Sequence, residues 1–150
     1  MKHVPKRQWM GCAVATAAIL AGRRYEEVAA HWPELDEARM RSPRELCALL
    51  EAVTDREWYL APCWNKPRVH EFSPPQWPVA VWIQDALFHA QFGQWIVIKD
   101  KVVYDPGEWT ESLMSNYPRH DWVVTMVAQP VPPEEFVRIR DRKRVQRKLT

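Results

Sequence analysis

The hydrophobic pattern of the chain changes between its first and second halves. Residues 12–21 are apolar on every face and stop at Gly22, which predicts a buried helix that ends at this glycine. Residues 25–30 predict a second, short helix that stops before Pro33. The first part of the chain is therefore expected to be helical and packed in the core.

A third helix is predicted from its start signal. Ser42 suits the N-cap position, Pro43 the first helical position and Glu45 the third, where its side chain can complete a capping box. The apolar stripe that follows has helical spacing and consists of Leu46, Leu49, Leu50 and Val53.

After this helix the period changes to that of a sheet. Runs of strand length, rich in β-branched and aromatic residues, occupy residues 57–60, 79–83, 88–92, 94–98, 102–104 and 122–127. Residues 99–101 form a tight polar connection, so the strands on either side are expected to be hairpin partners. The proline-rich segment 62–78 is expected to be a long loop that borders a cleft. Helices first and strands afterwards predict an α+β fold, with an antiparallel sheet packed against the N-terminal helices.

Composition limits the possibilities further. A chain of 150 residues with 47% hydrophobic residues suits one domain, expected over residues 1–135, followed by a tail over residues 136–150. No apolar stretch reaches the roughly 20 residues of a membrane span. The three cysteines are odd in number and far apart, which argues against a disulfide framework and favours a cytoplasmic protein.

The predicted tail is strongly basic. It holds seven Lys and Arg side chains against one acidic residue, Asp141. Such a tail suits nucleic acid or another acidic partner, but a solvated terminal segment is the simpler explanation. It lacks the interleaved aromatic residues that would stack on bases.

Cys12 is the first candidate for chemistry. A cysteine in the first turn of a helix lies near unpaired backbone N–H groups and the positive end of the helix dipole, which lower the pKa of a thiol. Its own backbone N–H can also face a developing oxyanion, and the Gln8 side chain, one turn upstream, can supply a second donor.

A thiol nucleophile also needs a base and a group that orients the base. His89 is expected at the head of a strand and Asp105 after the hairpin that follows it, so the two can meet at one end of the sheet. Trp9 and Trp109, near Cys12 and Asp105, are candidates for lining a substrate groove.

Over residues 5–110 the chain resembles papain-like cysteine peptidases, and most closely the small bacteriocin-leader-processing type with its stand-alone bacterial and phage relatives. The resemblance rests on Gln8, on the segment 11–15 around Cys12, on His89 between Phe88 and Ala90, and on Asp105 before Pro106. Gly11 stands where the family has Asp, and Ala13 where it has Gly.

The resemblance implies a papain-like fold and a thiol-dependent hydrolase acting on a peptide or protein substrate. Cys12 would attack the carbonyl, His89 would move the proton, Asp105 would orient His89, and Gln8 would help to hold the oxyanion. Such a reaction needs no cofactor. The sequence also contains no Cys-x-x-Cys or His-x-x-x-His pair, so no metal site is expected.

A second interpretation stays open. Taken one by one, Cys12 suits a small core residue, His89 a strand residue bonded to a backbone carbonyl, and Asp105 a turn residue. The chain could then be a non-catalytic binding protein on a papain-like scaffold, with a protein or nucleic acid as its partner.

Overall fold

The structure is a computed structural model, and it describes residues 1–7, 11–31, 42–86 and 93–132. In these ranges the helices come first and the strands follow. The helices are α1 (Cys12–Ala21), α2 (Tyr25–Ala29) and α3 (Pro43–Thr54). The strands are β1 (Trp58–Pro62), β2 (Val79–Gln84), β3 (Gly93–Lys99), β4 (Val102–Tyr104), β5 (Ser112–Leu113) and β6 (Val123–Pro130).

The strands form one antiparallel sheet in the order β1-β6-β2-β3-β4-β5. The last strand, β6, lies between β1 and β2, so the first and last of these strands pair at one edge of the sheet. The predicted combination of N-terminal helices with an antiparallel sheet is confirmed.

Local signals explain where the helices begin and end. Gly22 closes α1 with a left-handed φ of 64°, and its N–H and that of Arg23 bond the carbonyls of Ile19 and Ala18. Ser42 caps α3 in a complete capping box with Glu45, as predicted.

The hairpin between β3 and β4 is also as predicted. Val97 pairs with Tyr104 and Lys99 with Val102, which leaves Asp100 and Lys101 as a two-residue connection. Both residues have positive φ, 52° and 64°, as the twist of a tight hairpin requires.

The two faces of the sheet pack against different parts of the chain. Trp95 lies in the core shared with α1 and α3. Ile96 and Ile98, whose side chains alternate to the other face, pack with Tyr117 and with the short 3₁₀ turns Val69–Glu71 and Met114–Asn116. The proline-rich loop thus covers the face away from the helices.

Some predictions lie outside the described residues or needed adjustment. The predicted strand 88–92 and the basic tail lie outside them. The strand β5 was not predicted, because two residues carry no periodic pattern. Along the part of the chain that the structure describes, every helix is too short or too polar to cross a membrane.

Candidate functional site

Cys12 is the first residue of α1, and Gly11 occupies the N-cap without a side-chain hydrogen bond. The thiol lies among backbone hydrogen-bond donors: Trp95 of β3, Ala13 and Cys12 itself. The charge of Lys6 also acts on it. The Cys12 sulfur therefore lies between the first turn of α1 and the beginning of β3.

Burial raises the pKa of the Cys12 thiol above its usual value, and this effect outweighs the hydrogen bonds from Trp95 and the nearby charge of Lys6, which lower it. The sequence-based expectation of a lowered pKa is therefore wrong. A helix N-terminus stabilises a thiolate only modestly, whereas the loss of water around a buried sulfur penalises the charged form more strongly. This thiol needs a base to take its proton before it can attack a carbonyl.

Asp105 follows β4 directly and is only 2% exposed. Its Oδ2 accepts hydrogen bonds from the Gln94 amide at 2.6 Å, the Tyr117 hydroxyl at 2.5 Å and the Arg119 guanidinium at 3.1 Å. Its Oδ1 accepts one from the backbone N–H of Gly107 at 2.7 Å. Four donors use most of the acceptor capacity of a carboxylate, which is why the charge tolerates burial.

The carboxylate is part of a wider polar network, the Asp105 cluster, formed by Gln94, Asp105, Glu108, Tyr117 and Arg119. Arg119 donates to Glu108 at 3.0 Å as well as to Asp105. Burial and the negative charge of Asp105 raise the pKa of Tyr117 far above its usual value, so its hydroxyl stays protonated and donates.

Cys12 and Asp105 both contact the first residues of β3. The backbone of Trp95 lies close enough to the Cys12 thiol to lower its pKa, and the side chain of the preceding residue, Gln94, donates a hydrogen bond to Asp105. The N-terminal segment ties the two together, since the Lys6 N–H donates to the Pro106 carbonyl at 2.8 Å. The structure thus brings the predicted nucleophile and the predicted carboxylate to the start of β3.

Of the other predicted site residues, the structure describes only Trp109. Gln8, Trp9 and His89 lie outside the described residues. Trp109 is 91% exposed, on a loop held by the bond from His3 to the Glu108 carbonyl at 2.8 Å.

Sequence reasoning missed Gln94, Tyr117 and Arg119. Gln94 carries a faint signal, because it is a polar residue at the start of an otherwise apolar strand. Tyr117 and Arg119 lie 12 and 14 residues beyond Asp105, in a segment without strand or helix periodicity, so no local pattern marks them.

A large cavity lies away from these residues. It has a volume of about 970 Å³ and is lined by the proline-rich loop, the β3–β4 turn and the pair His70 and His120. Nowhere in residues 1–7, 11–31, 42–86 or 93–132 do three His, Cys, Asp or Glu side chains converge to hold a metal ion. All three cysteines are free thiols.

Comparison of the chain with models of known protein families finds no match, and no curated protein is significantly similar to it in sequence.

Proposed function

We propose that this chain is a thiol-dependent hydrolase with a papain-like fold, which cleaves a peptide or isopeptide bond with Cys12 as its nucleophile. One observation carries the proposal: the Cys12 thiol and the Asp105 carboxylate both contact adjacent residues at the start of β3. A thiol–base–carboxylate triad needs a nucleophile at one end and an orienting carboxylate at the other, with the base between them. Here the nucleophile comes from the start of a helix and the carboxylate from the end of a hairpin.

In this mechanism the Cys12 sulfur attacks the carbonyl carbon, and His89 takes the thiol proton and returns it to the leaving amine. Water then cleaves the thioester. The backbone N–H groups of the first turn of α1, with Gln8, hold the oxyanion. Because burial raises the pKa of Cys12, little thiolate forms without the base. Reactivity should therefore depend strongly on His89.

The test is site-resolved alkylation. Iodoacetamide is added at neutral pH, and mass spectrometry follows the labelling of Cys12, Cys47 and Cys63 separately. We expect Cys12 to react fastest. We also expect His89→Ala to slow Cys12 labelling about 100-fold, which is the usual size of a general-base contribution. His31→Ala, which removes an exposed histidine at the end of α2, serves as the matched control. Equal, slow labelling of all three cysteines would contradict the proposal.

A second candidate is a non-catalytic binding protein on the same scaffold. It is favoured by the four donors that already occupy Asp105, among them the Gln94 amide, because they leave the carboxylate little acceptor capacity for a catalytic imidazole. In that case His89→Ala leaves the labelling rate of Cys12 unchanged. Gln94→His, which puts an imidazole beside Asp105, instead accelerates it. The two variants therefore separate the candidates in one assay.

A further inference from the structure

A second cavity, of about 440 Å³, lies at the far end of α1 from Cys12. The N-terminal segment, the end of α1 and the start of α2 form its walls. Its charged and titratable lining consists of Lys2, His3, Arg7, Arg23, Arg24, Tyr25 and Glu26. Four cationic side chains thus face one carboxylate across a concave surface.

Ion pairs neutralise only part of this charge. Arg7 pairs with Glu26 and stacks over the Tyr25 ring, and Arg24 pairs with Glu27 at 2.8 Å. Among the residues that the structure describes, Lys2 and Arg23 have no such partner. The cavity therefore keeps an excess of positive charge that an anion would balance.

His3 lines the same cavity and is held in place by the chain. Its Nε2 donates to the Glu108 carbonyl at 2.8 Å, because a carbonyl oxygen can only accept. Its Nδ1 is buried and has no hydrogen-bond partner in the described part of the chain. A buried polar atom left without a partner destabilises the fold by about 1–3 kcal/mol. His3 therefore forms part of the cavity wall, and Lys2 and Arg23 are the groups left to face an anion.

We propose that this cavity, which we call the basic cavity, binds a small phosphorylated molecule, with its phosphate between Lys2 and Arg23. The guanidinium of Arg23 can make paired hydrogen bonds to phosphate oxygens, and Lys2 adds a second positive charge. The volume lies within the range of about 300–1,000 Å³ that small-molecule pockets occupy, so there is room for more than a bare ion.

The test is isothermal titration of the full chain with three probes: adenosine 5′-monophosphate, inorganic phosphate and uncharged adenosine. We expect the monophosphate to bind more tightly than inorganic phosphate, and adenosine to show no binding at the same concentrations. Affinity for the monophosphate should fall as sodium chloride is raised, since both contacts are exposed to solvent.

Two substitutions assign the site. Arg23→Gln and Lys2→Gln should each weaken monophosphate binding about tenfold or more, as expected for the loss of a charged hydrogen bond. Arg44→Gln removes an exposed arginine from α3 and should leave the affinity unchanged. Both cavity positions are exposed, so the variants are expected to fold, and thermal unfolding checks this.

Three results would overturn the proposal. The first is that neither phosphate-bearing probe binds, and the second is that inorganic phosphate binds as tightly as the monophosphate. The third is that Arg23→Gln lowers the melting temperature while the affinity for the monophosphate stays the same. The last outcome would assign Arg23 only to stabilising the C-terminal end of α1. None of these results depends on whether Cys12 is catalytic.

Discussion

Asp105 is the most constrained single residue of the candidate site. An isolated buried carboxylate would be strongly destabilising, and here three side chains and a backbone amide compensate for its lost hydration. The same bonds fix its orientation toward the start of β3. The Asp105 cluster thereby links β3, the end of β4 and the segment before β6 at this corner of the sheet.

The Tyr117 hydroxyl provides the shortest of these bonds, at 2.5 Å. We expect Tyr117→Phe to lower the free energy of unfolding by about 1–3 kcal/mol, because a buried charge loses a donor. Denaturant unfolding measures this. Tyr104→Phe is the matched control, since the Tyr104 hydroxyl has no hydrogen bond to any described residue. Equal effects of the two substitutions would show that the bond to Asp105 contributes nothing.

At the scale of elements, the start of α3 is determined by residues within one turn of the chain. Its start was predicted from three residues, and the structure has Ser42 and Glu45 bonding to each other's backbone N–H at 3.2 and 3.3 Å. A capping box forms within one turn of chain, so it does not depend on what the helix packs against.

The cap also supports a quantitative expectation. Ser42→Ala should lower the free energy of unfolding by about 1 kcal/mol, because the Glu45 N–H in the first turn of α3 loses its partner, the Ser42 hydroxyl. Ser42→Asp keeps an acceptor at the N-cap and should restore most of this loss. Urea unfolding of the three proteins provides the comparison. A destabilised Asp variant would mean that the serine acts through something other than capping.

The start of β3, unlike the start of α3, depends on contacts with residues far away in the sequence. A Cβ on Gly93 would lie 2.5 Å from the Trp82 side chain, so this strand begins with a residue that lets the indole lie across it. Trp82 in turn makes an edge contact with Trp95, at 5.3 Å between ring centroids. The start of β3, which contacts both Cys12 and Asp105, is therefore positioned by packing between strands. No local pattern in the sequence of β3 predicts this packing.

At the scale of the whole molecule, several ionisable side chains are buried in their neutral forms. Burial raises the pKa of Cys47 in α3 from 9.0 to about 11, and it also raises the pKa values of Cys12 and Tyr117. A raised pKa means that the folded chain keeps a proton that the unfolded chain releases. These groups therefore stabilise the fold fully below pH 9, and this contribution is lost as the pH rises through their folded-state values.

We accordingly expect the free energy of unfolding, measured with denaturant under reducing conditions, to fall between about pH 9 and pH 11. Cys47→Ala should show a smaller fall, because one of the protons that the folded state retains is gone. Burial also raises the pKa of Cys63, but this thiol is more exposed, so Cys63→Ala should reduce the fall by less than Cys47→Ala does. A flat profile over this range would contradict the burial argument.

The sequence alone predicted the three helices, the antiparallel hairpin of β3 and β4, and the α+β class. These features depend on spacing, caps and alternation within a few consecutive residues, which act before any distant contact forms. It also singled out Cys12 and Asp105 as candidate site residues. Only the tertiary structure decided their surroundings. Burial of Cys12 against β3 raises its pKa, and residues 94, 117 and 119 gather around Asp105. Solvation and hydrogen bonding depend on which distant segments pack together, and a linear pattern does not contain that information.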